Sequence, residues 1–96
     1  MVASYKIKTK YIELIELVKN DAEQNSSIWE YFKYLDQYKE NFTRELNAND
    51  IEDLKEFIRG ANRYSDEFIF SENAYIFIRK VINELYEMLN TSDSQI

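Results

Sequence analysis

Cysteine, histidine and proline are all absent from this chain, and glycine occurs once. Without cysteine there is no disulfide framework and no thiolate metal site. Without histidine the commonest general base, the commonest transition-metal ligand and the usual pH switch are missing, and so is the Glu-x-x-His pairing of a di-iron bundle. A single glycine cannot build a phosphate-cradling loop. "NANDIEDLKE" has acids but lacks the alternating ligands and central glycine of a calcium loop. Serines have no base to activate them, and Glu52 with Glu56 makes at best a weak cation site, so no catalytic residue, no metal and no cofactor are expected. The scarcity of helix breakers points to long helices and away from a many-turned β fold.

Long apolar runs are missing too. The longest, "AYIFI", is far too short to cross a bilayer. Glu13 and Glu16 interrupt the apolar stretch that follows the basic start "MVASYKIKTK", so it reads as neither a signal peptide nor a membrane span. A soluble cytoplasmic protein is the expectation.

What is present suits a packed helical domain. Of the 96 residues, 45% are hydrophobic and 16% aromatic, enough for one core. Apolar residues recur at helical spacing in four segments, which predicts an all-α, antiparallel four-helix bundle forming one domain over 1–96. The helices are expected at about 4–20, 27–46, 48–64 and 71–90, with a frayed tail over 91–96. Ile7, Tyr11, Leu14, Ile15 and Val18 mark the inward face of the first. Ile28, Tyr31, Phe32, Leu35, Tyr38, Phe42 and Leu46 mark the second, opened by a capping box of Ser27 with Glu30. Ile51, Leu54, Phe57, Ile58 and Ala61 mark the third, capped by Asn47 or Asn49. Gly60 lies off that face, at a cost of about 1 kcal/mol in helix propensity. Ala74, Ile78, Val81, Ile82, Leu85 and Leu89 mark the fourth, with Ser71 as its N-cap.

Net charge is −6 and unevenly placed. Residues 1–20 carry four lysines against Glu13 and Glu16, a net +2, whereas Glu45 to Glu72 holds eight acids against Lys55, Arg59 and Arg63, a net −5. Phosphate binding needs a basic surface, so direct nucleic-acid binding is not expected, while a basic protein partner would be steered toward the acids. Glu52 with Lys55 and Glu56 with Arg59 have ordinary i,i+3 spacing, but Asp66 and Glu67 have no basic residue close behind them. Trp29, Ile76 and Tyr86 fall well away from the inward stripes, with Phe77 marginal. The candidate partner-binding set is therefore Glu52, Asp53, Glu56, Asp66, Glu67, Glu72, Trp29 and Ile76, Trp29 having the competing role of covering the bundle end. In "YSDEFIFSENAYIF" (64–77), Tyr64, Phe68 and Phe70 are expected to close the bundle and Asp66 and Glu67 to stand at the rim of that cap.

One stretch resembles a known family. "FIRGANRYSDEFIFSENAYIFIRKVINELYEML" has an apolar helix ending in Ala61 and Tyr64, then an acidic loop. Ser71 and Glu72 follow, opening a helix with Arg79, Val81, Leu85 and Leu89. Over this last third the chain resembles small helical bacterial immunity proteins of the colicin D-like bacteriocin immunity family. Enterocin-type immunity proteins are a looser likeness and tend to be basic. The resemblance implies a non-enzymatic inhibitor, an immunity protein or antitoxin that blocks a basic toxin or nuclease domain. Two alternatives carry weight: a phage-encoded inhibitor of a host nucleic-acid enzyme, and a homo-oligomerising module, such as a homodimer paired through Ile76, Phe77 and Tyr86.

Overall fold

The helix faces follow the residues closely. The computed structural model describes residues 4–44 and 46–95. Among these are five α-helices and no strand: α1 (Ser4–Ala22), α2 (Trp29–Asp36), α3 (Lys39–Thr43), α4 (Ala48–Tyr64) and α5 (Glu72–Gln95). Short 3-10 turns at Ser26–Ile28 and Ser65–Glu67 precede α2 and follow α4. Glu45 and Ile96 lie outside the described residues.

Several boundaries differ from expectation, and α1 runs past 20 to Ala22. The second segment is not one helix over 27–46. It breaks at Gln37 and Tyr38, with Tyr38 at φ −97°, ψ 3°, although neither a proline nor a glycine is there. Ring packing is the reason: the break lets Tyr38 stack on Phe57 of α4, centroids 4.0 Å apart, while Phe42 stacks on Tyr11 of α1 at 3.8 Å. α5 also runs on to Gln95, where a frayed tail is expected from 91.

The caps resolve as follows. Asn47, not Asn49, caps α4, in a reciprocal box with Asp50 whose two bonds are both 3.0 Å. Leu46 and Ile51 then occupy the staple positions on either side. At α2 the expected Ser27–Glu30 box does not form. A 3-10 turn precedes the α-helix, and Asn25 caps that turn by accepting from the Ser27 N–H and hydroxyl.

α1 packs along α5, α4 packs along α5, and α2 and α3 lie against α1. Contacts fix the directions. Lys10 of α1 meets Glu84 of α5 at 3.3 Å, and Asp21 meets Ser71 at 3.2 Å, so the two helices run in opposite senses. The inward stripes of α1, α4 and α5 are buried as their spacing predicts, as are Ile28, Tyr31, Leu35 and Phe42. Phe32, Tyr38, Leu46, Phe57 and Ala74 are half-buried at the edges. The shape is elongated, 40 × 21 × 18 Å, as a 24-residue α5 about 36 Å long requires.

Gly60 has a use after all. A Cβ there would come within 3.2 Å of the Tyr34 hydroxyl, a tight contact that the glycine avoids. Tyr34 lies against Phe57 and Tyr64, at 5.1 and 4.9 Å.

Candidate functional site

The stretch that joins α4 to α5 is tied down from within. Ser65, which is buried, donates to the Asn62 carbonyl at 2.6 Å. Phe68 and Phe70 then turn inward onto Tyr31, at 5.3 and 5.5 Å, and Phe70 is only 7% exposed. Both rings and Tyr64 close this end as the sequence implies. Two side chains hold the backbone: Asn25 of the α1–α2 connection donates to the Ile69 carbonyl at 3.0 Å, and the buried carboxylate of Asp21, in the last turn of α1, accepts from the Ser71 N–H. A carboxylate beside the first turn of α5 also meets the positive end of that helix.

What this scaffold pushes outward is apolar. Ile69 stands between two inward rings and is 86% exposed; Ile76 and Phe77, in the first two turns of α5, are 59% and 54% exposed, and Tyr75 is 41% exposed. Ile76 is outside as its wheel position implies, whereas helical periodicity does not place Ile69. Its signal was the period-two alternation Phe68 in, Ile69 out, Phe70 in, which marks an extended segment. Trp29 is not as far out as its wheel position implies. It is half-buried, edge-on to Phe32 at 5.3 Å, and packs against the core. Tyr86 is half-buried as well, under the Arg59 guanidinium at 5.8 Å.

The six candidate acids divide into paired and unpaired. Glu52 meets Lys55 at 3.6 Å and Glu56 meets Arg59 at 3.0 Å, the i,i+3 pairs expected of a solvated face. Asp66 also has a partner: Arg79 of α5, at 3.3 Å. No basic residue follows Asp66 closely in sequence; this partner is thirteen residues on and arrives only because α5 packs beside α4. Asp53, Glu67 and Glu72 are exposed and have no ion-pair partner among the described residues. The acids do not form one patch. Fourteen positions of helix and turn separate Glu52 from Asp66, about 21 Å at 1.5 Å per residue. Glu52, Asp53 and Glu56 lie toward the start of α4, and Asp66, Glu67 and Glu72 lie at the α4–α5 junction with the exposed apolar residues.

Other places offer little chemistry. A cleft between α4 and α5 of about 170 Å³ is lined by Ile58, Arg59, Asn62, Ile82, Asn83 and Tyr86, below the ~300–1,000 Å³ of small-molecule sites. Among the described residues no cluster of three or more carboxylates is placed to hold a metal ion. Burial pushes the Tyr11 and Tyr31 phenols well above their ordinary value, and Tyr34 less so, which keeps all three neutral. Burial opposes the charge on Lys10, but hydrogen bonds to Glu84 and Glu13 outweigh it and raise the ammonium above its ordinary value, locking it into an α1–α5 clasp. No described helix is long and apolar enough to cross a membrane. Set against protein-family models, curated proteins and solved structures, the chain finds no significant match.

Proposed function

We propose that this chain is a non-enzymatic protein-binding inhibitor, an immunity protein or antitoxin acting in the cytoplasm, that blocks a basic nuclease-type toxin. The observation that carries this reading is the α4–α5 junction, where the unpaired Glu67 and Glu72 share a short, braced stretch with the exposed Ile69, Ile76 and Phe77. Unpaired rim charges speed and orient association with a surface of opposite sign, and desolvated apolar anchors supply affinity. Asp66 belongs to the same rim, its charge shared with Arg79. Asp53, Glu52 and Glu56 widen the acidic field that steers a basic partner, and Trp29 stiffens the end from which the contact is made. In the proposed arrangement α2 and α3 together form one broken arm of an antiparallel four-helix bundle, so that the connecting segments gather at the ends. The likeness of residues 57–89 to colicin D-like immunity proteins supports the same reading, and no cofactor enters it.

The test is inhibition and its kinetics. A basic nuclease encoded beside this chain should co-purify with it and lose its cleavage activity on binding. Glu67→Gln with Glu72→Gln should slow association at 0.1 M salt. The difference should fade at 1 M, because the Debye length falls from ~10 Å to ~3 Å. Unchanged association at low salt would sink the proposal.

A further inference from the structure

The outward face of α5 has a charge pattern that a basic partner leaves half unused. Glu72, Ile76 and Lys80 succeed one another at four-residue intervals, all exposed, with Phe77 beside Ile76. Steps of 100° per residue keep these three within about 80° of one another, a single stripe. Neither Glu72 nor Lys80 has an ion-pair or hydrogen-bond partner among the described residues, although Arg79 next door is taken by Asp66. A basic surface laid on this stripe would satisfy Glu72 and oppose Lys80. An acidic one would do the reverse.

We propose that this stripe is a self-association face: the first three turns of α5 pair antiparallel with the same turns of a second copy, Ile76 lying on the twofold axis. Glu72 and Lys80 are each four residues from Ile76. A twofold axis at Ile76 therefore sets Glu72 of each copy against Lys80 of the other, twice by symmetry, as an isologous contact requires. Ile76 meets its own counterpart. Flanking opposite charges around a central apolar contact is the arrangement that fixes register and orientation between paired helices. The patch is small and its charges are exposed, so the dimer is weak. It shares Glu72 and Ile76 with the surface proposed for the basic toxin. Self-pairing would therefore mask that surface at high concentration, but it does not depend on the toxin reading.

Sedimentation equilibrium on the full chain alone, from about 10 µM to about 1 mM, the range of weak association, decides it. A monomer–dimer equilibrium is expected. Ile76→Asp should be monomeric throughout with an unchanged melting temperature, since the side chain faces solvent in the monomer. Lys80→Glu should raise the dimer Kd about tenfold, because like charges then face each other at both flanks. Glu72→Lys combined with Lys80→Glu exchanges the charges and should restore wild-type association. A chain monomeric at all concentrations, a dimer indifferent to Ile76→Asp, or a double variant no better than Lys80→Glu alone each overturns the proposal. None of these outcomes touches inhibition of a basic nuclease, which is measured at protein concentrations where the chain is monomeric.

Discussion

Between α1 and α5 the core is mostly aliphatic: Leu14, Ile15 and Val18 face Ile78, Val81, Ile82, Leu85 and Leu89. Where α2 and α3 approach α1 and α4 it is aromatic, with Tyr11, Tyr31, Tyr34, Tyr38, Phe42, Phe57 and Tyr64 in one connected set of ring contacts. The aliphatic side joins two long, uninterrupted helices. The aromatic side tolerates a broken one. Rings are large enough to fill irregular space, and their hydroxyls reach backbone carbonyls on the neighbouring element: Tyr11 donates to Leu35, and Tyr31 to Ala61 at 2.7 Å. A buried phenol needs such a partner. Regular helix pairing can thus be left to branched aliphatics, while an interrupted segment is held by specific rings.

Truncation on both sides tests this division with the largest effect. Phe42→Ala should cost about 3–5 kcal/mol and Leu85→Ala about 2–5 kcal/mol, read by chemical denaturation. A markedly cheaper Phe42→Ala would mean that the aromatic side collapses into the space and is not a rigid fit. Alkaline pH separates the sides next. Burial holds the Tyr11 and Tyr31 phenols of the folded chain well above the ordinary tyrosine value of about 10. The folded chain then binds more protons than the unfolded one above pH 10. Their contribution is fully present below about pH 10 and is lost as pH rises, by about 1.4 kcal/mol per pH unit for each phenol. Tyrosinate absorbance should show these two groups ionising only on unfolding, and a melting temperature flat from pH 9 to 12 would contradict it.

Tyr31→Phe sharpens the comparison further. It should cost only about 0.5–1.5 kcal/mol, because the Ala61 carbonyl still accepts from the Ser65 N–H. It should also reduce the alkaline loss. The smallest effect belongs to the exposed rim of the aromatic side. Asp66→Asn should lower stability by less than about 1 kcal/mol, the worth of an exposed pair such as the one with Arg79. Glu67→Gln should leave the melting temperature unchanged, since Glu67 has no ion-pair partner among the described residues. Thermal melts of the two single variants separate the roles, and equal losses would contradict the pairing.

The sequence by itself determined the helices and their inward faces. Ile7, Tyr11, Leu14, Ile51, Leu54, Ile58, Ile82 and Leu85 are buried because a 3.6-residue period places them on one side wherever the helix lies. It also placed the rings of Phe68 and Phe70 inside and the acids beside them outside. Tertiary structure decided what depends on a distant neighbour. At the break Tyr38 stacks on Phe57, and at Gly60 a Cβ would crowd the Tyr34 hydroxyl. The pairing of Asp66 likewise needed α5 beside α4, since Arg79 and Asp66 are thirteen residues apart and no local spacing brings them together. Periodicity is a property of a segment alone. Ring stacking, ion pairing across helices and the clearance around a glycine are properties of two segments, and only packing fixes their relative position.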